Sequence, residues 1–107
     1  MTGKQRLKVL ANYLVSGAVD EDRFRMSKWP SCAVGEGTRL PSLRKEGLTM
    51  RTNSDGTEVP QYDGYTCFTA CAQFFKLPYD TAHKFFNGSP RRAVTVGRQL
   101  LSYLKRH

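Results

Sequence analysis

No apolar run in this 107-residue chain approaches the roughly 18 residues that a membrane-crossing helix requires, so no association with a membrane is expected. The opening stretch, MTGKQRLKVLANYLVSG, sets basic residues ahead of apolar ones. It lacks the continuous apolar centre and small-residue cleavage site of a signal peptide, and a cytoplasmic location is expected. Cysteine is scarce and odd in number. Of Cys32, Cys67 and Cys71, the last two stand one helical turn apart, where a disulfide would constrain little; a reducing compartment follows. Histidine is limited to His83 and His107, which leaves little material for acid–base chemistry. Internal repeats, linkers and low-complexity segments are absent. The length suits one domain, residues 1–107, with a single modest core.

What is abundant is positive charge. Lysine and arginine number 17 against nine acids, a net charge of +8. The excess is uneven. Lys4, Arg6 and Lys8 make the first helix basic, and Arg91, Arg92, Arg98, Lys105 and Arg106 load the tail with no acid among them. Asp55, Glu58 and Asp63 make the middle loop acidic. Such asymmetry predicts long-range attraction to an acidic protein surface or to nucleic acid; solubility alone is the plainer alternative.

The most apolar stretch, YTCFTACAQFFKLPYDTAHKFF (Tyr65–Phe86), reads as two helices meeting at a Leu77-Pro78 corner and forming the core. Phe68, Cys71, Ala72 and Phe75 recur at helical spacing on the first, with Cys67, Ala70 and Phe74 on a neighbouring face. Tyr79, Ala82, Phe85 and Phe86 make a stripe on the second, which Asn87-Gly88 is expected to end in a left-handed conformation. Around this pair, Leu7, Leu10 and Leu14 predict an amphipathic helix over Lys4–Ser16 that stops at Gly17. Phe24 and Trp29 are expected to pin the following connector to the core. Gly35 and Gly37 weaken any helix through the middle of Ser31–Gly47, whereas Pro41 suits the first position of a short one capped at Gly47. Leu48–Tyr62 predicts a hairpin turning at Asn53–Gly56, with Pro60 on an edge. Ser89 and Pro90 read as the start of a last helix that buries Ala93, Val96, Gly97, Leu100 and Leu104. The fold class expected is mainly α, a compact domain of four to five helices with one small β-hairpin.

No catalytic or cofactor motif emerges. Gly35-Glu36-Gly37 neither follows a strand nor completes a phosphate-loop fingerprint. Cys32, Cys67, Cys71 and His83 have the right types for zinc but no established spacing, so no metal site is expected. A Cys71–His83–Asp80 nucleophile lacks an oxyanion loop, and no enzyme activity is expected. The Tyr65–Phe86 pair also fits a helix-turn-helix, in which Tyr79, His83, Lys84 and Asn87 would face a groove of DNA.

Several short motifs together resemble a loose group of small uncharacterised proteins from bacteriophages and bacterial mobile elements. These are Met26-Ser27-Lys28-Trp29, Cys32-Ala33-Val34-Gly35, Leu40-Pro41 with Gly47-Leu48, and Phe74-Phe75-Lys76-Leu77. The likeness spans most of Phe24–Leu104, with Lys76 where the group tends to have glycine and Pro78 where it tends to have serine. It implies a phage-type accessory protein acting in the cytoplasm of a bacterial host. The expected function is therefore binding, without catalysis or cofactor, of a host protein complex that handles nucleic acid or defends against it, as an anti-CRISPR inhibitor does. Lys4, Arg6, Lys8, Arg91, Arg92, Arg98, Lys105 and Arg106 would supply the contact. The alternative is direct binding of DNA or RNA through the same cations and the helix-turn-helix-like pair.

Overall fold

In the computed structural model, which describes residues 1–107, the elements follow as α1 (Gly3–Val15), α2 (Ala33–Thr38), α3 (Pro41–Lys45), β1 (Thr49–Thr52), β2 (Glu58–Tyr62), β3 (Tyr65–Thr66), α4 (Cys67–Phe75), α5 (Tyr79–Phe86) and α6 (Ala93–Arg106). A 3-10 turn at Trp29–Ser31 precedes α2. The architecture is mainly α with a small antiparallel sheet, as the patterning predicts. The radius of gyration, 12.5 Å, matches the roughly 13 Å of one domain this long.

α4 occupies the centre. Ala70, Cys71, Phe74 and Phe75 are all but inaccessible to solvent, which explains why apolar residues cover so much of its circumference. α1, α5 and strands β2 and β3 pack around it. Lys76 takes the left-handed conformation (φ 54°) that ends α4, a position where glycine would be unstrained. On α5, Ala82, Phe85 and Phe86 are buried as the stripe predicts, but Tyr79 is 52% exposed. Phe24 is buried, and Trp29 packs edge-on against Phe68 with ring centroids 4.9 Å apart, so both tie the connector down.

α1 opens on a capping box. The Thr2 hydroxyl accepts the Gln5 amide while the Gln5 side chain accepts the Thr2 amide. Leu7, Leu10, Ala11 and Leu14 face inward, and α6 lies alongside with Ala93, Val96, Gly97 and Leu100 buried. The two helices run antiparallel: Gly97 sits against Ala11, Leu14 and Val15, and Lys4 Nζ donates to the His107 carbonyl at the far end. A Cβ on Gly97 would come within 2.7 Å of Val15 Cγ1, so glycine sets how closely the pair approaches.

Five local expectations are corrected. Residues 33–38 are helical despite Gly35 and Gly37. Glycine is what lets α2 lie on the preceding turn, because a Cβ at Gly35 would strike the Trp29 and Pro30 carbonyls. Pro60 lies in the central strand, not on an edge. The third strand pairs only with Gln61 and Tyr62, so Pro60 faces no partner on that side and its missing N–H is tolerated. The third strand follows an Asp63-Gly64 turn, both residues at positive φ, a strong hairpin signal. Asn87 ends α5 extended (ψ 164°), not left-handed; its side chain donates to the Lys84 carbonyl and accepts the Ser89 amide. Finally, α6 begins at Ala93, not at Ser89-Pro90. Its first amides, Ala93 and Val94, donate to the Glu21 carboxylate at 2.8 and 3.2 Å, a cap supplied from 72 residues away.

Candidate functional site

None of the nine acidic residues lies in α1 or α6, and these two helices pack side by side. The consequence is a groove of about 650 Å³ between them. Lys4, Gln5 and Lys8 line it from α1, and Arg98, Leu101, Ser102, Leu104 and Lys105 line it from α6. The helical repeat explains the convergence. Lys4 and Lys8 are one turn apart on α1, and Arg98, Leu101, Ser102 and Lys105 recur at three- and four-residue steps on α6. Leu101 and Leu104 are half-buried at the edge of the core and present their outer sides to the groove.

No acidic side chain balances the charge in the groove, although Lys4 also donates to the His107 carbonyl. The ion pairs of the molecule join Glu46 to Arg6 and to the Met1 amino group, Asp20 to Arg23, Glu36 to Arg39, and Glu21 to Arg92. None involves Lys4, Lys8, Arg98 or Lys105. Four cations thus surround an apolar floor with no carboxylate among them.

The remaining expected contact residues lie elsewhere. Arg6 turns inward: Nη1 donates to the Phe74 carbonyl at 2.9 Å, Nε to Glu46 at 3.3 Å, and the guanidinium lies 4.6 Å from the Phe74 ring centroid. Arg91 holds the α5–α6 connector. It donates to the Asn87 and Ser89 carbonyls and to Gln99 Oε1, and partial desolvation lowers its pKa from the ordinary guanidinium value. Arg92 faces Glu21 at 3.9 Å. Arg106 joins Arg91 and Lys84 around a second concavity of about 330 Å³, with Ser89, Gln99 and Ser102; Ser102 borders both hollows. The exposed ridge of α6 is therefore flanked by cations on both sides. Periodicity foreshadows the α6 stripe in the sequence, but the juxtaposition of Lys4 and Lys8 with it is a product of the tertiary fold.

On α5, Tyr79, His83 and Lys84 are exposed; Tyr79 stacks on His83, while Phe68 meets Tyr79 edge-on and His83 at a tilt. The side chain of Asn87 is occupied by its two hydrogen bonds. Lys76–Pro78 join α4 to α5 in a turn of helix-turn-helix length, but Asp80 shares the exposed face of α5.

Cys32 and Cys71 do not present reactive thiols. Cys71 is fully buried, and desolvation, reinforced by neighbouring Cys32 and Cys67, pushes its thiol well above the ordinary range. Burial likewise raises that of Cys32. Because the thiolate is the nucleophile, such thiols are inert. No group of three or more His, Cys, Asp or Glu side chains is arranged to hold a metal ion. No helix is long and apolar enough to cross a membrane. No protein-family model, curated protein or solved structure matches the chain.

Proposed function

We propose that this is a non-enzymatic binding protein whose α1–α6 groove docks on an acidic surface of a macromolecular partner. In its finer form, the proposal is a phage-type accessory protein acting in the cytoplasm of a bacterial host. Its target is a protein complex that handles nucleic acid or defends against it, with anti-CRISPR-like inhibition as the outcome. One observation carries the reading: Lys4, Lys8, Arg98 and Lys105 line a single groove around Leu101 and Leu104, none of them ion-paired to an acidic side chain. Cations at such density attract an acidic surface over long range. An apolar floor adds contact that a phosphate backbone does not use, which favours protein over nucleic acid. The phage setting rests on the resemblance along Phe24–Leu104.

The second reading, direct contact with DNA or RNA, draws on the adjoining concavity of Lys84, Arg91 and Arg106. It extends the positive surface across α6, with Phe85 as its one apolar lining residue.

The test compares wild type with a variant carrying Lys4→Glu, Lys8→Glu, Arg98→Glu and Lys105→Glu. Each is used to capture complexes from nuclease-treated bacterial lysate and is titrated with random-sequence duplex and single-stranded DNA at about 50 and about 200 mM salt. The proposal expects a nuclease-resistant protein complex with wild type that the variant loses. Inhibition of target cleavage by reconstituted CRISPR effectors would identify the defence target. Tight DNA binding that collapses with salt, with no protein complex, would replace it by the nucleic-acid reading.

A further inference from the structure

The shape of the groove narrows the kind of partner, provided the reading of a protein partner holds. We infer that the groove receives an acidic amphipathic α-helix, laid along the α1–α6 seam with apolar residues on Leu101 and Leu104 and carboxylates on the four surrounding cations.

Geometry supplies the first reason. Two helices packed side by side leave between their outer faces a trough that a third helix fills, the arrangement by which bundles bury a shared stripe. From Arg98 to Lys105 the α6 wall runs seven residues, about 10 Å along the axis at ~1.5 Å per residue. That is the span between positions i and i+7 of a ligand helix, whose apolar anchors recur at i, i+3, i+4 and i+7. Leu101 and Leu104 are spaced to meet such anchors.

Charge supplies the second. Cations stand on both walls, Lys4 and Lys8 on one and Arg98 and Lys105 on the other, so the occupant meets positive charge along both flanks of its apolar stripe. A helix with glutamate or aspartate on both sides of that stripe satisfies them. A basic or neutral helix would leave them desolvated and unpaired. A second copy of this chain does not suit, because each carries +8 and none of its acids lies on its two long helices.

The lysine and arginine stems matter as well. Long cationic side chains lay their methylenes along apolar surface while their heads reach water, so the walls widen the leucine floor and hold charge at its rim. Phosphate contacts need only the heads.

The experiment uses the intact protein and two peptides of identical composition. One places leucine at i, i+3, i+4 and i+7 with glutamate along both flanks; the other scrambles that order. Binding is followed by fluorescence anisotropy, and peptide helicity by circular dichroism. The amphipathic peptide is expected to bind and gain helix. Leu101→Ser with Leu104→Ser is expected to weaken it about tenfold or more, from the lost apolar contact. Should that variant lose its fold, Lys8→Glu with Arg98→Glu, both at exposed positions, tests the same seat through charge. Equal binding of the scrambled peptide overturns the helix-in-groove assignment while leaving an acidic protein partner in place. Binding of random-sequence DNA with neither peptide bound overturns both.

Discussion

Arg6 and Lys8 are two residues apart and carry the same charge, yet the fold gives them different work. Arg6 is a clamp that ties α1 to the end of α4, to Glu46 and to the aromatic faces of Phe74 and Tyr62. Lys8 is exposed, unpaired and in the groove. Arg6→Ala is therefore expected to lower unfolding stability by about 2 kcal/mol, through lost charged hydrogen bonds and ring contact. Lys8→Glu is expected to stay within about 0.5 kcal/mol while weakening the partner. Urea unfolding of the two variants checks both. Asp55 offers a pH-dependent counterpart. The Thr57 hydroxyl, and then the Thr57 amide, donate to its carboxylate and hold its pKa below the ordinary value. Because the folded pKa is depressed, this contribution to the turn is present above the unfolded carboxylate range, about 3.9, and is lost as pH falls through the folded value. Thr57→Val should move the Asp55 titration back toward the ordinary range, as followed by NMR of the side-chain carboxyl; an unmoved titration would contradict the assignment.

At the scale of elements, the two glycines of α2 make opposite predictions within one helix. An added Cβ at Gly35 meets backbone carbonyls that cannot retreat. At Gly37 it meets Leu10, Leu48 and Leu43 side chains at 3.4 to 3.6 Å, ordinary contact. Gly35→Ala should destabilise by at least about 1–3 kcal/mol, and Gly37→Ala should stabilise by up to about 1 kcal/mol through helix propensity. Thermal unfolding of the pair reads the signs. The α6 N-terminus carries another prediction. Glu21→Ala removes the acceptor of the Ala93 and Val94 amides and should cost about 1 kcal/mol. Faster hydrogen exchange at those two amides would localise the loss. These same elements show where the sequence was readable. Leu7, Leu10 and Leu14 mark α1, the Tyr65–Phe86 pattern marks α4 and α5, and Pro41 starts α3, because each rests on contacts local to its segment. Residues 33–38 read as weakly helical because Gly35 is selected by contact with Trp29 and Pro30 and not by propensity. Ser89-Pro90 mimics a helix start that lies three residues later, where a distant glutamate supplies the cap. Asp63-Gly64 was readable as a turn, but the strand that follows it is only two residues long and leaves no alternating pattern.

For the whole molecule, the decisive feature is that the chain brings its two basic ends together. The cations were visible in the sequence, as was their stripe along α6. Which of them share a surface was not, since that depends on α1 and α6 packing antiparallel across Gly97. Of the eight cations expected at a contact, Lys4, Lys8, Arg98 and Lys105 line the groove. Arg91 and Arg106 border the neighbouring hollow, Arg92 pairs with Glu21, and Arg6 is built into the fold. The central claim is that this local convergence, and not net charge, selects an acidic partner. A matched pair of variants tests it most directly. Lys8→Glu with Arg98→Glu and Lys28→Glu with Arg51→Glu each remove two positive charges and add two negative ones, taking +8 to about +4 by charge counting; Lys28 and Arg51 are exposed and lie outside the groove. Affinity for the acidic amphipathic peptide, measured by fluorescence anisotropy at physiological salt, is expected to fall at least about tenfold in the first variant and to change little in the second. Equal losses in both would mean that overall charge alone governs binding, and the groove would have no special role.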